Sequence, residues 1–126
     1  MTPPPPSPAS LIPPGDPVVS WRTEKSALIA VVRGEIDLHN SPKLRIRLLH
    51  LLEESNPAKL VLNLAEVPYM DSSGVAVLVE MLRRLRKTQG SVILAALQPR
   101  VRGILEIAQL TTVFPIVADE AAALAS

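Results

Sequence analysis

The chain has no cysteine, one residue each of tryptophan, tyrosine and phenylalanine, and almost no net charge. Each shortage removes a class of function. Without cysteine there is neither a disulfide framework nor a thiolate metal site, and a cytoplasmic setting is expected. The aromatics Trp21, Tyr69 and Phe114 are too few to form a stacking platform for single-stranded nucleic acid. Thirteen Lys and Arg against twelve Asp and Glu leave a formal charge of +1, far from a nucleic-acid-binding footprint. No apolar run approaches the roughly 18–20 residues of a membrane span. The N-terminus lacks the apolar h-region of a signal peptide. The expectation is a soluble, unexported protein with no direct nucleic-acid contact and no membrane insertion.

What is present is aliphatic. Apolar residues make up 48% of the chain, mostly Leu, Val, Ile and Ala, and 126 residues suffice for one domain with a core of its own. Residues 1–17 stand apart, with Pro3, Pro4, Pro5, Pro6, Pro8, Pro13, Pro14 and Pro17. Proline at that density removes backbone donors and blocks helix and ladder alike, so this stretch reads as a disordered leader of polyproline II character. The domain is expected over residues 18–126.

Hydrophobic periodicity gives the elements. Val18–Trp21 and Ala27–Val32 read as strands joined through Glu24-Lys25-Ser26. Ser41-Pro42 reads as a helix start, with serine as N-cap and proline in the first turn. Leu44, Leu48, Leu51 and Leu52 line one face of that helix, which ends near Asn56-Pro57. Lys59–Leu64 is a third strand. The second helix runs from Ser73 to about Thr88, its inner stripe predicted as Val75, Leu78, Val79, Leu82 and Leu85, with Glu80 within reach of Arg83 or Arg84. Gly90 marks its end. Ser91–Ala95 is the fourth strand. A third helix starts near Pro99 and uses Val101, Ile104, Leu105 and Ala108. Val113–Val117 is a short last strand, which Pro115 confines to an edge, and Asp119 caps a final Ala-rich helix.

The order β-β-α-β-α-β-α-β-α predicts an α/β fold: a mixed, mostly parallel sheet of four to five strands with about four helices. The loops after the second and third strands leave one edge of such a sheet, at the carboxyl ends where open α/β sheets carry their sites. The first loop holds Asp37. The second holds Tyr69-Met70-Asp71-Ser72-Ser73-Gly74, where a carboxylate and two hydroxyls meet the free N–H groups of a helix start, a setting suited to an anion.

Three stretches together resemble the STAS domain of anti-sigma factor antagonists: Gly34-Glu35-Ile36-Asp37; Leu62-Asn63-Leu64 through Asp71-Ser72-Ser73-Gly74; and Val101 to Phe114. The resemblance covers nearly everything from Val18 onward. It implies a STAS fold and a protein-binding switch rather than an enzyme. By that resemblance Ser72 is phosphorylated by an anti-sigma factor with serine kinase activity and restored by a serine phosphatase, and the unphosphorylated form binds the anti-sigma factor and frees a sigma factor. Gln109 stands where the family often has glycine, which implies a differently built turn. Leu105–Leu110 is also similar to STAS proteins of phospholipid-transport ABC systems, which gives an alternative partner, the transporter's ATPase.

Each candidate residue also has an ordinary role. Ser72 would cap the second helix, a role compatible with carrying phosphate, since a helix N-terminus favours added negative charge. Ser73 would support it from the first turn. Asp71 would be a cap or a neighbour repelling phosphate; Asp37 would be a turn aspartate or, by the resemblance, part of the partner or phosphate site. Gly74 would permit close approach of backbone or partner. Val77 and Met81 lie off the predicted stripe, either buried by neighbours or forming an apolar partner patch. His39 and His50 do not make a hydrolase: no G-x-S-x-G elbow is present, and His50 reads as a surface residue. No G-x-x-x-x-G-K-[ST] or G-x-G-x-x-G stretch supports a nucleotide site. No catalytic residue, metal or cofactor is therefore expected.

Overall fold

The structure, a computed structural model, describes residues 15–126. The proline-rich leader predicted over residues 1–17 lies outside these except for its last three positions, of which Gly15 is exposed and Asp16 and Pro17 are packed. Pro17 is buried, and its carbonyl accepts the Arg33 N–H at 2.8 Å. Asp16 accepts the Val18 N–H at 2.9 Å and pairs with Arg47 at 2.9 Å. Packing thus reaches back to Asp16, ahead of the first predicted strand residue.

Five strands form one sheet in the order β1-β2-β3-β4-β5. β1 (Val18–Glu24) and β2 (Ala27–Arg33) are an antiparallel hairpin; β3 (Lys59–Glu66), β4 (Ser91–Ala95) and β5 (Ile116–Val117) continue it in parallel. Lys25 and Ser26, both at positive φ, make the hairpin turn, the twist that matches two antiparallel strands. The helices are α1 (Ser41–Ser55), α2 (Ser72–Arg86), α3 (Pro99–Ile107) and α4 (Glu120–Ala125). This is the predicted element order, in a mixed sheet of five strands with four helices. β5 is shorter than expected, since its ladder begins only after Pro115. Among the described residues no helix is long and apolar enough to cross a membrane.

The main core lies between the sheet and α1, α2 and α3, where Leu28, Ala30, Leu60, Leu62 and Leu94 meet Leu44, Leu48, Leu78, Leu82 and Leu105. The other sheet face is smaller: Ile29, Val61 and Ile93 pack with Ala123 of α4. That short helix is held by side chains: Asp119 accepts the Ala122 N–H at 2.8 Å, Lys59 Nζ reaches the Ala123 carbonyl at 3.1 Å, and Glu120 accepts from Asn63 and Arg22.

Several local expectations are corrected. Ser41 is buried inside the first turn of α1, and Asn40 occupies the N-cap position without a side-chain cap bond. Glu80 pairs with Arg45 of α1 at 2.7 Å rather than along its own helix, and Arg84 reaches Glu53 at 3.3 Å, so both ions bind across the α1–α2 seam. Gly90 is fixed by proximity: a Cβ there would lie 2.9 Å from the Ala58 carbonyl oxygen, while Gln89 takes the left-handed turn at φ 63°. Gln109 likewise sits at φ 59°, so the turn after α3 adopts the conformation for which glycine is favoured.

Candidate functional site

The loops after β2 and β3 are zipped together. The Ile36 N–H donates to the Tyr69 carbonyl at 3.0 Å and the Asp71 N–H donates to the Ile36 carbonyl at 2.9 Å, a one-rung parallel bridge between Ile36 and Met70. Both side chains are fully buried. A buried apolar pair flanked by backbone bonds fixes the register of the two loops, and with it the spacing of Asp37, Asp71 and Ser72 at the sheet's carboxyl edge.

Asp71 is the N-cap of α2. Its extended backbone turns the carboxylate onto the Ser73 N–H at 2.8 Å and the Gly74 N–H at 3.3 Å, and the Ser73 hydroxyl donates to the same oxygen. The Ser73 hydroxyl bond holds the Asp71 carboxyl below its usual range, against a smaller opposing effect of burial; the N–H groups of Gly74, Ser73 and, from the neighbouring loop, Leu38 add to the lowering. Two of the helix's free donors are therefore already taken by a carboxylate, and the open anion cradle expected from the sequence is filled from within. Ser72 is not the cap. It is the first residue of α2 and is exposed, and among the described residues no hydrogen bond holds its hydroxyl.

Asp37 is exposed and closes its own loop. Its carboxylate accepts the His39 N–H at 2.9 Å and the Asn40 N–H at 3.2 Å, while the Asn40 side chain answers by accepting the Asp37 N–H at 2.8 Å. The turn role is thus established, and the residue stands beside Asp71 on the same edge.

Gly74, Val77 and Met81 do not face outward. Val77 is 5% and Met81 0% exposed, and both belong to the main core. A Cβ on Gly74 would lie 2.9 Å from Ile36 Cγ2 and 3.0 Å from Met70 Cβ, so the glycine admits the neighbouring loop, not a partner. The inward face of α2 is Gly74, Val77, Leu78, Met81, Leu82 and Leu85, with Val75 and Val79 on its flanks.

The exposed apolar surface lies elsewhere. A groove of about 240 Å³ runs between the start of α2 and α3, lined by Tyr69, Ser72, Val75, Ile104 and Ile107 among others. Ile107 is 86% exposed, and Leu38, next to Asp37, is 77% exposed. Sequence periodicity could not find this groove, because its walls come from two distant segments. The single tyrosine beside the motif was the one available signal.

The geometry agrees with the comparisons with known proteins. The STAS domain family model matches residues 19–123. The anti-sigma-B factor antagonist of Bacillus subtilis is 36% identical over 85 residues, 68% of this chain and 76% of that protein. An anti-sigma factor antagonist from Mycobacterium paratuberculosis superposes with a TM-score of 0.75 at 25% identity, covering 83% of this chain and 88% of that one. The Bacillus cell fate determinant SpoIIAA, solved in its phosphorylated form, shares the fold with a TM-score of 0.66 at 22% identity over 83% and 95% of the two chains.

Proposed function

Since the chain belongs to the STAS domain family, we propose that it is an anti-sigma factor antagonist whose binding is switched by phosphate on Ser72. In the unphosphorylated state it binds an anti-sigma factor with serine kinase activity in the cytoplasm, and so releases a sigma factor. Transfer of phosphate to Ser72 ends the complex, and a serine phosphatase resets it.

The observation that carries this reading is the contrast between two adjacent hydroxyls. The Ser73 hydroxyl is bonded to Asp71, and the Ser72 hydroxyl is exposed, with no hydrogen bond to any described residue. A kinase needs the second kind. The surface offered to the partner is the edge with Leu38, Asp37 and Ser72 together with the groove of Val75, Ile104 and Ile107. Gly74, Val77 and Met81 act from behind by fixing that edge. Phosphoserine carries about −1.5 to −2 charges. Added beside the carboxylates of Asp71 and Asp37 and pressed against a partner, it brings like charges together at a cost of several kcal/mol. At about 1.4 kcal/mol per tenfold in affinity, that is enough to break the complex without refolding either protein.

The test is capture of the native partner with wild type, Ser72→Ala and Ser72→Asp, with mass spectrometry of the partner and of residue 72. The expected result is a kinase partner, phosphate on Ser72 alone, retained binding by Ser72→Ala and weakened binding by Ser72→Asp. Phosphate on Ser73 refutes the site. Capture of a phospholipid-transport ATPase with Ser72 unmodified refutes the function and installs the alternative drawn from Leu105–Leu110.

A further inference from the structure

We propose that Arg100 is the residue that receives the phosphate once Ser72 is modified, and that in doing so it closes the groove beside it; the proposal rests on the Ser72 reading above.

The start of α2 has little left to offer a phosphate: among the described residues only the Ser72 N–H of its first four lacks an acceptor. The Ser73 and Gly74 N–H groups are engaged by the Asp71 carboxylate, and the Val75 N–H donates to the Asp71 carbonyl. The carboxylates of the two paired loops are Glu35, Asp37 and Asp71, all of the wrong sign, and His39 is the one basic side chain among them. A phosphate on Ser72 must find its counter-charge across the groove.

Arg100 is the cation that lies against that wall. It stands in the first turn of α3, and its guanidinium carbon is 4.7 Å from the centroid of the Tyr69 ring. Tyr69 and Ser72 line the same groove, with Ile104, one turn beyond Arg100 on α3, facing them. Among the described residues no carboxylate pairs with Arg100, whereas Arg22, Arg33, Arg45, Arg47 and Arg84 are all paired. A guanidinium resting on the half-buried Tyr69 ring is held less strongly than by two parallel charge-assisted bonds to phosphate. Phosphorylation therefore draws Arg100 off Tyr69 toward Ser72. Its aliphatic stem then lies over the groove between Val75 and Ile104, as arginine stems do on apolar surface. The switch acquires a second arm: besides repelling the partner, the phosphate covers the apolar surface the partner uses.

The experiment uses the full chain with phosphoserine installed at position 72 during translation, so no kinase enters it. The second ionisation of the phosphate is followed by phosphorus NMR in the wild type, Arg100→Ala and Arg100→Lys. Asp71 and Asp37 raise that ionisation in all three proteins; Arg100 lowers it only where it is present. Arg100→Ala should move it upward by about half a unit or more, and Arg100→Lys should recover part of the difference. The Tyr69 ring resonances should shift on phosphorylation in the wild type and not in Arg100→Ala. Identical phosphate titrations in wild type and a folded Arg100→Ala would overturn the proposal. A native Ser72 that no kinase modifies would sink the Ser72 reading and leave this measurement untouched, so the two fail separately.

Discussion

Replacing Gly74 by alanine sets two effects of opposite sign against one another. Gly74 lies in the first turn of α2, where alanine is the better helix former by about 0.5–1 kcal/mol. Propensity alone therefore predicts a more stable protein. The packing predicts the reverse. The new Cβ would lie 2.9 Å from Ile36 Cγ2 and 3.0 Å from Met70 Cβ. Neither atom is the loose end of a flexible side chain: one is a branch methyl next to the backbone, the other is the first side-chain atom. Both residues are fully buried, and the bridge bonds of 3.0 and 2.9 Å pin their loops together. Relief requires the two loops to part or α2 to move outward, and overpacking of this kind costs about 1–3 kcal/mol. The net expectation is a loss of about 1–2 kcal/mol, or a fall in Tm of about 4–10 °C for a domain of this size. Urea and thermal unfolding of wild type and Gly74→Ala measure it. An unchanged or raised stability would refute the reasoning and return Gly74 to the surface as a residue kept for a partner.

Met81→Ala should lower stability by about 2–5 kcal/mol in chemical denaturation, as for any large buried side chain; a change under about 0.5 kcal/mol would mean that Met81 faces solvent. A chain beginning at Gly15 should keep its Tm within a few degrees, whereas Asp16→Ala should cost about 1–3 kcal/mol, because Arg47, whose Nε is buried without a partner, then loses its carboxylate. Equal stability of Asp16→Ala and wild type would place the start of the packed domain after Asp16. The depressed folded-state pKa of Asp71 contributes stability that is fully present above the ordinary aspartate range and is lost as pH falls through the lower folded value. Asp71→Asn keeps a capping oxygen but cannot titrate, so its stability should fall less steeply on acidification; parallel acid-denaturation profiles would contradict that role.

The sequence by itself determined the order of elements and the edge on which the candidate site lies. β-branched and leucine-rich runs of strand length, alternating with helix-length segments, admit essentially one layered arrangement. Parallel crossovers then carry Asp37 and Asp71-Ser72 to the same side, whatever the details. The Asp119 cap and the Leu44, Leu48, Leu51 and Leu52 face of α1 were legible for the same reason: each is a local pattern with polar residues around it to fix its phase.

The tertiary structure decided what local pattern left free. α2 is apolar on almost every side from Gly74 to Leu82 except Glu80, so no polar stripe sets its rotation. The Ile36–Met70 bridge does, by admitting only a residue without a Cβ and thereby turning Val77 and Met81 inward. Packing of α1 on α2 gave Glu80 and Arg84 partners remote in sequence. Which of Asp71, Ser72 and Ser73 caps the helix depended on where the backbone leaves the extended region, a matter of one residue that side-chain chemistry alone does not fix because all three can accept the bond. That single step frees the Ser72 hydroxyl and ties down Ser73. It was settled by the backbone bonds between two loops more than thirty residues apart in the chain.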